Sequence, residues 1–158
     1  MTAHDRSLTA IAVDLGATNM RAALVREDGQ ILSLVTAPTP PNPENADVIV
    51  RALENLIVCA ASSHAISSAA GIGISTAGPV DLKLGAVINP PNIPLPFIPV
   101  VKPLGERFGL PIQFMNDCHA GARGEAAFGA GKGILNFVYL TISTGIGAGV
   151  YEQGRLLF

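Results

Sequence analysis

Tryptophan is absent from this sequence, cysteine occurs twice, and charged residues make up only 14% of its 158 positions. Each scarcity excludes something. Cys59 and Cys118 are far apart with no CxxC spacing, which argues against a disulfide framework or a cysteine metal cage. Both are expected to be buried thiols in a reducing compartment. His4, His64 and His119 have no metal-ligand spacing, and His119 reads as a surface residue of a helix's first turn. The formal charge is −2 and no Lys/Arg cluster occurs, so no electrostatic footing for nucleic acid exists. No apolar run is long enough to span a bilayer, and the first ten residues lack the apolar block of a signal peptide. A cytoplasmic protein with no membrane partner is the expectation. What the chain has instead is core material, at 49% hydrophobic residues.

Hydrophobic patterning gives the organisation. Leu8–Asp14, Met20–Arg26 and Ile31–Ala37 read as three short strands after a loose tail, the last two joined by a turn at Glu27-Asp28-Gly29. Asn42-Pro43-Glu44 reads as a helix start, and Ala46, Ile49, Val50, Leu53, Leu56, Ile57 and Ala60 follow helical spacing to about Ser63. Ala70–Thr76 reads as a buried strand. Pro79, Pro90, Pro91, Pro94, Pro96 and Pro99, with Pro103 just beyond, predict a long irregular loop over 78–99. Val100–Phe108 is a short helix ended by Gly109, and Pro111–Met115 a strand. Cys118–Phe128 is a helix of small residues, with Gly121 and Gly124 expected to permit close helix–sheet packing. Leu135–Ile142 and Ala148–Glu152 form a final strand pair. The order βββαβαβα points to an α/β, ribonuclease-H-like lobe with a mixed sheet.

The chemistry concentrates where strands end. Ile11–Arg21, IAVDLGATNMR, runs an apolar strand into Asp14 and a small-residue turn at Gly16, Ala17 and Thr18. Backbone amides beside one carboxylate suit a nucleotide's phosphate tail with Mg²⁺, the amides and the Thr18 hydroxyl facing phosphate oxygens and Asp14 the cation. The plain alternative is a tight hairpin, with Arg21 as salt-bridge partner of Asp14. Leu140–Gly145 followed by Gly147–Val150 repeats the same logic, unless it is only a second glycine-rich hairpin. Gly129–Gly133 is not a P-loop, because Ala126 replaces the first glycine and no Ser/Thr follows Lys132. Gly145-Ile-Gly147 is not a dinucleotide fingerprint, because Val150 holds the last position. Asn116-Asp117 also follows an apolar strand. One of the two could merely cap the next helix. The functional reading makes Asp117 the base that deprotonates a hydroxyl, with Asn116 bonding a neighbouring hydroxyl. Asp81 and Lys83 read as a solvated turn, and Glu125 as a surface or packing residue.

Together these motifs resemble the ROK family of sugar kinases and repressors, within the actin-like ATPase superfamily. The resemblance rests on Asp14-Leu-Gly16-Ala-Thr18, Thr76-Ala-Gly78-Pro79-Val80-Asp81 with Asn89-Pro90-Pro91-Asn92, Asn116-Asp117, and Thr141-Ile-Ser143-Thr144-Gly145-Ile-Gly147-Ala-Gly149. It implies ATP-dependent phosphorylation of a hexose or N-acetylhexosamine. Asp117 would be the catalytic base, and Asn116, Gly78 and Asn92 would bind sugar. Asp14, Gly16, Thr18, Thr144 and Gly145 would face ATP phosphates and Mg²⁺, Asp14 through water. Ala17 and Ser143 stand where the family has glycine. The resemblance further implies a small N-terminal lobe over 1–116 and the first helix and hairpin of a second lobe over 117–158. The expectation is then an N-terminal portion, inactive alone, of a homodimeric kinase whose structural zinc lies in the remaining part. A sugar-sensing repressor and another actin-like ATPase are the competing readings.

Overall fold

The computed structural model describes residues 7–142 and 145–158, and the chain divides into two compact units, Met1–Phe114 and Met115–Phe158. In the first, β1 (Thr9–Leu15), β2 (Asn19–Arg26) and β3 (Ile31–Pro38) form the antiparallel meander expected from the sequence. Gly29 closes the β2–β3 turn at φ 87°, and the Asp28 carboxylate accepts from the Gln30 amide at 2.9 Å. Helices α1 (Ala46–Ala60) and α2 (Ser63–Ser68) cross over to β4 (Ile72–Thr76), which lies parallel to β1. Three short strands follow, β5 (Val80–Asp81), β6 (Ala86–Ile88) and β7 (Phe97–Pro99), then α3 (Val101–Phe108) and β8 (Ile112–Asn116). The main sheet is mixed, in the order β3-β2-β1-β4-β8. The second unit contains α4 (Asp117–Phe128) and the sheet β11-β10-β9, from β9 (Phe137–Ile142), β10 (Ile146–Glu152) and β11 (Arg155–Leu156). No described helix is long and apolar enough to cross a membrane.

Strand alternation decides which face of the main sheet is dry. Ile11, Val13 and Leu15 are buried, and Ile49, Val50, Leu53, Leu56, Ile57 and Ala60 of α1 join them in one core cluster. Burial of each such large side chain contributes about 1.5–3 kcal/mol. By the same alternation Ala12 and Asp14 stand on the opposite face. Asp14 therefore reaches solvent from near the end of a hydrophobic strand.

Several expectations are corrected. The cap of α1 is Asn45, whose side chain accepts from the Asp47 amide at 3.0 Å; at Asn42 the chain is still turning, with φ 50°. The helix stops at Ala60, and Ser62 caps the separate helix α2. Residues 78–99 are not irregular throughout, because β5, β6 and β7 form a small antiparallel sheet there. Its prolines lie in the connections or, at Pro99, at a strand end, where a missing N–H costs no ladder bond. Cys59 is exposed on the outer side of α1, whereas Cys118 is buried as expected. Gly121 does permit close packing, since a Cβ there would lie 2.6 Å from the Tyr139 ring, but nothing approaches Gly124 within 4 Å. His119 is half-buried and meets the Phe158 ring edge-on at 5.2 Å.

Candidate functional site

The first turn is shaped by a close approach. The Gly16 amide donates to the Asn19 carbonyl at 3.1 Å, and a Cβ on Gly16 would lie 2.6 Å from that oxygen. Only glycine fits without a backbone shift. Thr39, nearly inaccessible at 5% exposure, pins the turn from the end of β3. Its hydroxyl donates to the Gly16 carbonyl at 2.7 Å, and its amide donates to the Thr18 carbonyl at 2.9 Å. Thr18 itself is exposed. Thr39 escaped the sequence reading because its partners lie more than twenty positions away; a lone threonine in a proline-rich connector gives no signal.

Asp14 is gripped from both neighbouring strands. Arg21, its cross-strand partner on β2, places Nη1 3.2 Å from Oδ2. Ser75, its parallel partner on β4, donates Oγ to Oδ1 at 3.2 Å. The expected Asp14–Arg21 pair is thus present, with Ser75 as an addition. The carboxylate opens into a shallow cavity of about 210 Å³ lined also by Ala12, Ala23 and Leu34. Small side chains on that face leave space beside an acid that has only partial cover.

The proline-rich segment positions its polar tips differently. Gly78 has φ 100°, a conformation that favours glycine, and packs beneath Pro90 and Pro91. The Asn89 amide donates to the Pro96 carbonyl at 2.9 Å, and both Asn89 and Asn92 are exposed. Asp81 does serve its turn, accepting from the amides of Lys83 and Leu84 at 2.9 Å each.

In the second unit, Asn116 is the cap of α4. Its Oδ1 and the Oδ1 of Asp117 both accept from the Cys118 amide, at 2.9 and 2.8 Å. The capping alternative therefore holds for Asn116, while Asp117 stands in the first helical turn with one oxygen engaged. Burial pushes the Cys118 thiol above its ordinary pKa, against a smaller opposing effect of the Thr141 hydroxyl. Gly145 has open space where a side chain would be. Thr144 lies outside the described residues. Asp14, Gly16, Thr18, Gly78 and Asn92 accordingly belong to one unit, and Asn116, Asp117 and Gly145 to the other.

Glu125 also acquires a role. Its Oε2 accepts from the Ala130 amide at 2.7 Å and closes the turn after α4.

A mixed five-stranded sheet with helical crossovers, followed by a second helix-and-hairpin unit, is the architecture of the actin-like ATPase fold. The crystal structure of a ROK family glucokinase from Streptomyces griseus in complex with glucose and AMPPNP matches it with a TM-score of 0.80 at 37% identity, covering 94% of this chain and 46% of that one. Residues 10–158 match the model of the ROK family, and the chain belongs to that family. A glucokinase of Streptomyces coelicolor is 39% identical over 146 residues, 92% of this chain and 44% of the relative. An N-acetylmannosamine kinase of Escherichia coli O157:H7 is 36% identical over 151 residues, 95% of this chain and 50% of the relative. The chain spans about half the length of the curated relatives it matches.

Proposed function

We propose that this chain provides the hydroxyl-activating carboxylate and the phosphate turns of an ATP-dependent kinase acting on a hexose or N-acetylhexosamine. The observation that carries the reading is Asp117: an acid in the first turn of α4, oriented through Oδ1 by the Cys118 amide, in a chain 39% identical to a glucokinase. Its Oδ2 takes the proton of the acceptor hydroxyl. The hydroxyl oxygen bonds to the γ-phosphorus, the bond from that phosphorus to the β,γ-bridging oxygen breaks, and ADP leaves. Positioning and charge neutralisation supply most of the rate enhancement in such transfers, so one carboxylate at the attacking oxygen suffices. On this reading, sugar-hydroxyl binding falls to Asn116 and, in the other unit, to Gly78 and Asn92, and the ATP phosphates fall to Gly16 and Thr18 and to the Thr144-Gly145 sequence, of which Thr144 lies outside the described residues.

Magnesium is implied by the nucleotide. Among the described residues no cluster of three or more His, Cys, Asp or Glu could cage a metal. A single carboxylate such as Asp14 suits Mg²⁺, which keeps several waters and is bound through one or two carboxylates plus substrate phosphates. Asp14, steadied by Arg21 and Ser75, is the residue that would hold it through water. When bound, the ion neutralises charge on the phosphate oxygens.

The test is ADP release in a coupled assay with glucose, mannose, fructose, N-acetylglucosamine and N-acetylmannosamine. It is run on the longest polypeptide in which this chain occurs. Sugar-dependent ADP release is expected with at least one of them. ATP hydrolysis indifferent to every sugar would instead favour another actin-like ATPase. No nucleotide turnover, with sequence-specific retention of operator DNA in a gel shift, would favour a repressor.

A further inference from the structure

Within the second unit, α4 and the β9–β10 hairpin interlock at atoms that leave no room for side chains. Cys118 and Ala122 are the two buried residues of α4, one turn apart on the same face. Gly147 and Gly149, two residues apart on β10, face them. A Cβ built on Gly147 would lie 2.3 Å from Cys118 Sγ, and one built on Gly149 would lie 2.5 Å from Ala122 Cβ and 2.6 Å from the Cys118 carbonyl oxygen. Gly145, in the same glycine-rich stretch, has nothing within 4 Å. The stretch thus divides into one open glycine at the turn and two that accept a helix.

We propose that Gly147 and Gly149 are positioning residues for Asp117: lacking side chains, they let the first turn of α4 settle on β10 and so set where the Asp117 carboxylate stands relative to β10. The connection is short. Cys118 follows Asp117 directly, and its amide is the donor that orients the Asp117 Oδ1. A backbone displacement of Cys118 moves that donor with it, and the Cys118 carbonyl oxygen, 2.6 Å from a Cβ at 149, lies on that same backbone. Optimal carbon contacts lie at about 3.5–4.0 Å, so an alanine at 147 asks Cys118 Sγ to retreat by more than 1 Å. A misplacement of about 1 Å can cost on the order of 100-fold in rate. The role rests on the kinase reading above, but the seat itself does not.

The partners are separable by size. Removing Sγ leaves Cys118 Cβ as the nearest atom to a Cβ at 147, at 3.7 Å, an ordinary contact. The experiment therefore compares Gly147→Ala, Cys118→Ala, their combination, and Gly149→Ala. kcat, KM for sugar and ATP, the unfolding midpoint and, where Cys118 remains, thiol labelling are measured for each. Gly147→Ala is expected to lower kcat about 10- to 100-fold with KM changed less than about threefold, a split expected when a reacting group is misplaced. Its Cys118 thiol, buried in the parent while Cys59 is exposed, should label at least tenfold faster. The double variant should recover kcat to within about threefold of Cys118→Ala alone, the signature of a direct pairwise contact. Gly149→Ala, which meets backbone, should be the most destabilised, and its unfolding midpoint registers this even if it is inactive. A kcat of Gly147→Ala equal to the parent's, or no recovery in the double variant, overturns the proposal. So does loss that appears only as a lowered unfolding midpoint. If the parent shows no sugar-dependent turnover, the kinase reading fails and the catalytic role falls with it, while labelling and unfolding still report on the seat.

Discussion

Replacing Asp117 with asparagine separates chemistry from folding. The carboxylate has two attachments to stability: the Cys118 amide bond at 2.8 Å and its charge in the first turn of α4. Asparagine keeps an oxygen for the amide, and Asn116 offers the same amide a second acceptor at 2.9 Å. Only the charge–dipole interaction is lost, about 0.3–1 kcal/mol. Loss of a general base costs about 10²- to 10⁴-fold in rate. At about 1.36 kcal/mol per tenfold, that is roughly 2.7–5.4 kcal/mol of transition-state stabilisation, several times the folding effect. Coupled ADP-release kinetics with the best sugar, beside urea unfolding of both proteins, should therefore show kcat falling at least 100-fold with unfolding free energy moved by no more than about 1 kcal/mol. KM for ATP should stay within about threefold, because uniform binding is untouched. A kcat reduced less than tenfold in a folded Asp117→Asn protein would refute the assignment of the base.

Other consequences follow from the same geometry. Gly16→Ala should destabilise the protein by about 1–3 kcal/mol in urea unfolding, because the new Cβ lies 2.6 Å from the Asn19 carbonyl oxygen; a neutral result would mean the turn yields freely. The Arg26 guanidinium beside Asp28, helped by the Gln30 amide, holds the Asp28 carboxyl below its ordinary value. A lowered folded value adds stability above the unfolded carboxylate range and loses it as pH falls through the folded value. NMR titration should find the Asp28 midpoint depressed and returned toward normal by Arg26→Gln; an unmoved midpoint would sink that account. Val138, Leu140, Ile142 and Ile146 are 55–77% exposed. Sedimentation velocity of this chain should show concentration-dependent association, relieved by Leu140→Asn with Ile146→Asn; a concentration-independent monomer would contradict it.

Local sequence was sufficient for the elements whose signals are periodic. The meander, α1, α3, α4 and the last hairpin follow from alternation, helical spacing and the left-handed Gly109 that stops α3. It also singled out Asp14 and Asp117, because a carboxylate ending an apolar run is conspicuous without any contact map. It failed where short strands are interrupted by prolines, at β5, β6 and β7, whose pairing depends on partners up to thirteen residues apart, as Ala86 and Pro99 are. It failed too at Cys59, where one position on a helix decides between core and solvent.

By itself, then, the order of apolar runs and turn residues determined the strands and helices with a periodic signal and picked out two acids and two glycine-rich stretches as candidates, because each is written in residues close along the chain. Only tertiary structure decided how those residues are held. Arg21 and Ser75 reach Asp14 from neighbouring strands, Thr39 grips the first turn from the far end of the meander, and Gly147 and Gly149 face the start of α4. Those relations depend on register and on helix–sheet distance, which are fixed by packing of the whole core and have no local signature.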